Sequence, residues 1–256
     1  MSRVFYLAIS ILLLGSFCDE QTKAVSHSNA EVSDDFLKGK FQPSKNSRFA
    51  IIPGAYSIRK NQYLQKETIE HFVEMAKVAR NEGIDIYILS PTRNFYAQKS
   101  IWERKFIQNE KEGLMPRENA LKILLWSSMP GTSRHHWGTD FDIVFSRKNA
   151  QLSNRIYESG QGLRTYQWMK THARKFGFCQ PYTGLPASRD NSREGRPIKH
   201  GYQQEKWHWS YQPLASKYLK TYFMRRARML PSGFRGDSAG NTLFLDYVMN
   251  VDKSCQ

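Results

Sequence analysis

The chain has 256 residues, 40% of them hydrophobic and 13% aromatic, enough to bury one sizeable core without dividing into two. Its 38 Lys and Arg against 23 Asp and Glu leave a net charge of +15, which implies attraction to a polyanion such as nucleic acid, acidic lipid or an anionic cell wall. The cations are spread through Arg147 and Lys148, 189–199 and 225–228 rather than set on one recognisable motif, so no nucleic-acid partner is expected.

Taken in chain order, Arg3 followed by the apolar run Val4 to Leu14 and the residues Gly15-Ser16-Phe17-Cys18 reads as a signal peptide over 1–18. Cleavage after Cys18 or Ala24 fits. Lipidation at Cys18 is the alternative anchor, although Phe17 suits it poorly. The run is too short to span a bilayer as a helix, and no later segment approaches the roughly 18 residues needed, so no transmembrane segment is expected. Residues 19–33 are polar and lack apolar periodicity, a flexible lead-in to a domain over 34–256.

Ile69, Phe72, Val73, Ala76 and Ala79 recur at helical spacing between Glu67 and Gly83, which predicts a helix of about four turns. Ile84 to Leu89 reads as a central strand that delivers Arg93 on the loop beyond it. A second helix is expected over Tyr96 to Ile107, and a short buried strand over 141–145. A third helix runs from Leu163 to Phe176, with Leu163, Tyr166, Met169, Ala173 and Phe176 inward and Gly177 as its stop. Residues 207–211 alternate aromatic and polar side chains as a strand does, and Pro213 to Arg228 reads as a fourth helix. Mixed elements without a regular βαβ repeat argue for an α+β fold, a single compact domain with a small, mostly antiparallel sheet flanked by helices. If Cys18 is removed or lipidated, Cys179 and Cys255 remain as an even pair in an oxidising compartment; a bridge would tie the C-terminal tail to the Gly177 turn, and two free thiols are the alternative.

Two stretches carry chemistry: Ser133-Arg134-His135-His136-Trp137-Gly138-Thr139-Asp140-Phe141-Asp142 and Glu205-Lys206-Trp207-His208-Trp209. A hydrolytic zinc ion takes three ligands from His nitrogens and a carboxylate and leaves a fourth position for water. His135, Asp142 and His208 can supply the three. Asp140 and Asp142 share one face of the predicted strand, with His135 just before it. Glu205, three residues before His208, is placed to act as a general base on the water rather than as a ligand. His136 is expected on the opposite face, beside the site or in solvent. Trp137, Trp207 and Trp209 read as core and site wall, and the helical His71 and His172 as surface or packing residues.

At these residues the sequence resembles the zinc D-alanyl-D-alanine carboxypeptidases of the VanY type, whose pattern runs Ser-x-His-x-x-Gly-x-Ala-x-Asp and then Glu-x-x-His-Trp. Ser133, His135, Gly138 and Asp142 fall on the first motif, and Glu205, His208 and Trp209 on the second. Asp140 stands where the commoner pattern has Ala, either as a further ligand or as a group that tunes the site from beside it. The resemblance extends over roughly 34–255, including Gly177-Phe178-Cys179-Gln180-Pro181-Tyr182-Thr183. It implies that Arg93 holds a substrate carboxylate, with Gln98 and Ser133 as further substrate contacts. It also implies a zinc D,D-carboxypeptidase acting on peptidoglycan stem peptides in the periplasm or cell envelope, expected as a monomer. L,D-carboxypeptidase, endopeptidase and non-catalytic wall-binding readings are the alternatives.

Overall fold

The structure, a computed structural model, describes Met1 and residues 32–148, 150–185 and 200–256, together with the backbone of 192–193 and 196–197. The expected signal peptide after Met1, the Cys18 anchor and the lead-in up to residue 31 lie outside the described residues. Val32–Gln256 forms one compact unit. No helix among the described residues is long and apolar enough to cross a membrane.

The first described element is α1 (Asp34–Leu37), whose first turn is capped by the Ser33 side chain accepting from the Phe36 N–H and carries Asp34 and Asp35 where the helix dipole favours them. A hairpin of β1 (Phe49–Ile51) and β2 (Tyr63–Gln65) leads into α2 (Lys66–Asn81). That helix buries Ile69, Phe72, Ala76 and Ala79 of the predicted apolar stripe, with Met75 fully buried and Val73 only half-buried. After β3 (Tyr87–Ser90), the Asn94 side chain caps α3 (Phe95–Lys111), and Pro116 opens α4 (Pro116–Leu124). A 3-10 turn, Arg134–Trp137, precedes β4 (Asp140–Val144). Then come α5 (Gly160–His172), β5 (Phe178–Cys179), the small pair β6 (Ser192–Arg193) and β7 (Arg196–Pro197), β8 (His208–Tyr211), α6 (Gln212–Met224), α7 (Asp237–Gly240) and α8 (Phe244–Met249).

The principal sheet has four antiparallel strands in the order β3-β4-β8-β5. One core packs α2 and α5 against Phe141, Ile143, Phe178 and Trp209 of the sheet; a second gathers side chains of α1, α3, α4, α6 and α8 around Trp102, Trp137 and Tyr222. The α+β architecture expected from the sequence is thus the one observed. Two elements differ in placement. The strand expected to be central, β3, lies at the sheet edge, because the centre is taken by β4 and β8; its free side is covered by 56–58, with Ile88 N–H donating to Tyr56 and Ile58 N–H to Ile88. The third helix turns Gly162, Thr165, Trp168 and Met169 inward and leaves Leu163, Tyr166 and Phe176 half-buried. Gly162 explains the rotation: a Cβ there would collide with the carbonyl of Ile156, so its absence lets α5 sit directly on the 154–157 turn. Gly177, at φ 81°, stops the segment as expected. The β1–β2 hairpin, α4, α7 and α8 had no counterpart in the sequence reading.

Cys179 and Cys255 form a disulfide with Cα atoms 5.6 Å apart, closing a sequence separation of 76 residues and pinning the C-terminal segment to β5. Closing so long a loop restricts the unfolded chain, so replacing both cysteines with Ser is expected to cost roughly 2–5 kcal/mol. Urea unfolding followed by circular dichroism measures this; equal midpoints for both proteins would remove the bridge from the account of stability.

Candidate functional site

The β4–β8 ladder builds the site. Asp142 pairs directly with His208 and Asp140 with Ser210, so four polar residues share one face while Phe141 and Trp209, also paired, face the core. The 3-10 turn before β4 adds His135. Asp142 Oδ1 lies 3.5 Å from His135 Nε2 and 3.3 Å from His208 Nδ1. Ligand atoms bound at 2.0–2.1 Å in a tetrahedron stand about 3.3–3.4 Å apart, so this spacing suits a zinc ion. Asp142 Oδ1 is buried and accepts no hydrogen bond, and one ligand atom from each of the three residues lies within 4.8 Å of the others. The donor set therefore fits the metal that its residue types suggest.

The outer nitrogens of both imidazoles are held. His135 Nδ1 lies 2.9 Å from the carbonyl of Pro91, and His208 Nε2 lies 3.0 Å from Asp140 Oδ2. A carbonyl and a carboxylate only accept, so these nitrogens carry the protons and His135 Nε2 and His208 Nδ1 face the site. Asp140 is thus outside the candidate donor set; it orients His208. Its own charge is held by Arg134 Nε at 2.8 Å, Thr139 Oγ1 at 2.7 Å and Ser210 Oγ at 2.9 Å, and Arg134 Nη2 also donates to Ser210 Oγ at 2.6 Å.

Electrostatics follow from this burial. Burial opposes the charge of Asp142, but His135 and His208 outweigh it and hold the carboxyl below the usual range. Burial likewise opposes the charge of Asp140, and Arg134 and His208 overcome it. His135 is pushed down to about 4, first by burial and then by Arg93. His208 goes the other way: burial lowers it, yet contacts with Asp140, Asp142 and Glu205 raise it well above its ordinary value. Burial raises the Glu205 carboxyl, with His208 opposing.

Glu205 reaches the same point from the loop before β8. Its Oε2 lies 3.2 Å from His208 Nδ1, and the His208 N–H closes a turn onto the Glu205 carbonyl at 3.3 Å. Asn154 clamps that loop on both sides, donating to the Gln204 carbonyl and accepting from the Lys206 N–H. Arg93 is tied by its backbone to the turn that carries His135: its N–H donates to the His135 carbonyl at 3.2 Å and its carbonyl lies 2.6 Å from His136 Nδ1. All these groups open onto one cleft of about 350 Å³, which Arg93, Ser133, His135, Asp142, Glu205 and His208 line together.

A family model described as VanY, D-alanyl-D-alanine carboxypeptidase, matches residues 61–214, more than half of the chain. The chain belongs to the VanY family. It is 24% identical over 165 residues to a D-alanyl-D-alanine carboxypeptidase of Enterococcus faecalis, a match over 62% of this chain and 54% of that protein, so only about half of the relative's length is spanned. Among solved structures it is similar to the LdcB LD-carboxypeptidase, at 19% identity and TM-score 0.50 with 78% of this chain and 79% of the other covered. It is also similar to a vancomycin-resistance D,D-pentapeptidase VanY variant in complex with Zn(II), at 19% identity and TM-score 0.46, covering 75% and 94%.

Within this VanY-family fold, the site residues predicted from sequence line one cleft, Gln98 apart. Ser133 lines the cleft with its Oγ buried and unpartnered, and it does not cap the following turn. Gln98 departs from expectation. It is 1% exposed, it is not among the residues lining the cleft, and its Nε2 donates to the Ser128 carbonyl at 2.7 Å, anchoring a segment that does line it. His136 departs as well: the segment is a 3-10 turn rather than extended, and the ring is fully buried, accepting from the Gly131 N–H at 3.0 Å. Trp137 and Trp209 are core, whereas Trp207 is cleft wall. Sequence reasoning missed Arg134, Tyr182, which stacks edge-on to His208 at 4.9 Å, and Trp126, which stacks on Trp207 at 6.1 Å. The one usable signal was Arg134 itself, a cation inside the first motif. Replacing Asp140 with Ala, the residue of the commoner family pattern, leaves the buried Arg134 without its carboxylate and is expected to cost roughly 3–5 kcal/mol in urea unfolding, with Arg134→Met alongside it recovering much of the loss. A single variant as stable as wild type would mean that the pair is not buried as described.

Proposed function

We propose that this chain is a zinc-dependent D,D-carboxypeptidase that removes the C-terminal D-alanine from peptidoglycan stem peptides. The observation that carries the reading is the convergence in one cleft of a His-Asp-His donor set, a carboxylate left out of it and an arginine beside it, in a member of the VanY family. His135, Asp142 and His208 would hold the ion. Zinc supplies Lewis acidity there, polarising a carbonyl and making water acidic enough to be a nucleophile near neutral pH.

The chain's own residues do the rest. Glu205 takes the proton from the attacking water and returns it to the departing amine; its buried carboxyl, raised above the ordinary range, is suited to both halves of that transfer. Arg93 holds the terminal carboxylate of the peptide with its guanidinium fork, which makes the last peptide bond the one presented to Glu205. Its buried Nε has no partner, leaving a donor for the purpose. Ser133 Oγ offers a second contact to the peptide. The protein acts outside the cytoplasm as a monomer, delivered by the N-terminal segment.

Mass spectrometry of muropeptides tests the reaction. Loss of one alanine from pentapeptide stems, abolished by a chelator, is expected; cleavage confined to tetrapeptide stems or cross-links would instead favour the L,D or endopeptidase reading. Glu205→Gln is expected to lower kcat by about 10²–10⁴-fold while zinc stays stoichiometric. His208→Ala is expected to lose zinc and turnover together. Near wild-type turnover in the first variant, or a full complement of zinc in the second, overturns the assigned role.

A further inference from the structure

The cleft does not end at the site just described. A second cavity of about 430 Å³ shares Arg104, Lys105 and Trp126 with it and continues between α3 and α4, where Gln108, Asn109, Lys122 and Ile123 complete the wall. Trp126, stacked on Trp207, stands at the junction.

The charges along this path are unbalanced. Arg93, Arg104 and Lys105 all line the first cavity, and among the described residues none of them has a carboxylate ion-pair partner. The acids of α3 and of its C-terminal cap are engaged elsewhere: Glu103 with Lys99, Glu110 with Arg235 and Glu112 with Lys122. The acids of the cleft, Asp142 and Glu205, face the metal position. Lys105 is half-buried and donates to Ser127 Oγ at 2.6 Å; burial, and then Arg104 and Arg93, lower its pKa, with Glu205 opposing them more weakly from the far side of the cleft. Arg93 and Lys105 are half-buried and Arg104 is exposed at the groove's rim, so gathering the three cations with two of them partly desolvated is unfavourable unless an anion joins them. One terminal carboxylate answers for Arg93 alone.

We infer that Arg104 and Lys105 form a second carboxylate subsite, so that the preferred substrate is a peptide with a free carboxylate on a residue upstream of the scissile bond as well as at its terminus. This rests on the carboxypeptidase reading above. It makes the two basic residues of α3 determinants of specificity: they select acidic peptides and orient them along the groove, while Arg93 fixes the end that is cut. The +15 net charge then has a local use as well as a general one, since the groove concentrates anionic peptides at its mouth.

Acetylated peptides ending in D-alanyl-D-alanine, paired so that one residue upstream is glutamate in one and glutamine in the other, test this with the zinc-loaded enzyme. The acidic residue is placed one or two positions before the first D-alanine in separate pairs. For at least one pair kcat/KM is expected to favour the acid about tenfold or more, as one charge-assisted contact allows. The preference should shrink at high salt, and should fall toward one in Arg104→Gln with Lys105→Gln, with Arg104→Gln alone intermediate. Equal rates within both pairs, or a ratio unchanged in the double variant, overturn the inference. The same pairs are titrated by calorimetry into zinc-loaded Glu205→Gln protein, which reads the acid preference without turnover. No hydrolysis by wild type with a clear acid preference in binding overturns the reaction but keeps the subsite; hydrolysis with equal affinities within both pairs does the reverse.

Discussion

The register between β4 and β8 is the constraint on which the rest depends. Asp142 stands opposite His208 and Asp140 opposite Ser210, and between them Phe141 stands opposite Trp209. Because strands alternate faces with a period of two, a slip of one residue would bury the carboxylates against α2 and push the two aromatics into the cleft. The core prevents it. Phe141 packs edge-on against Phe72 at 5.0 Å and Phe178 at 5.3 Å, so hydrophobic burial on one face fixes the ligand geometry on the other.

The polar face is held by a buried ion pair rather than by apolar packing. Arg134 and Asp140 are 1% and 0% exposed, and removing both from water costs much of what their attraction returns. Their role is better understood as orientation. Asp140 faces the outer nitrogen of His208 while Arg134, Thr139 and Ser210 fix Asp140, so the imidazole cannot rotate without breaking contacts to several residues. Arg134 also lies 4.9 Å over the Trp137 ring, which couples the polar network to the second core. A position where the commoner family pattern has alanine therefore carries, in this chain, a link between a metal-ligand candidate and the folding core.

Three short contacts connect the Pro91–Arg93 segment to this centre. The Pro91 carbonyl meets His135, the Arg93 N–H meets the His135 carbonyl, and the Arg93 carbonyl meets His136. Arg93 is thus placed by the backbone that also places His135, so the two candidate groups are held in one fixed relation. Across the cleft the Glu205 backbone is held by Tyr182 and Gln180, in the chain that runs on from the disulfide-tied β5. Opposite charges are kept apart within the same space, carboxylates toward the centre and, toward the groove, cations with no carboxylate partner among the described residues.

Read alone, the sequence determined the helices and strands whose apolar spacing is local, and it singled out His135, Asp142, His208 and Glu205 as candidates by residue type and spacing, with Arg93 and Ser133 added by the family resemblance; all six line one cleft. It also showed that Asp140 departs from the family pattern, but the two roles open to it could be told apart only by what lies across the ladder. The same holds for Gln98, whose partner Ser128 is 30 residues away, for His136, whose ring is enclosed between Gly131 and Arg93, and for Arg134, whose second contact, Ser210, is 76 residues distant. The edge position of β3, the inward face of α5 and the unpaired cations of the groove were decided in the same way. Periodicity records which side of an element is apolar; which residue from a remote segment then satisfies a buried polar group depends on register and packing, and these exist only in the folded chain.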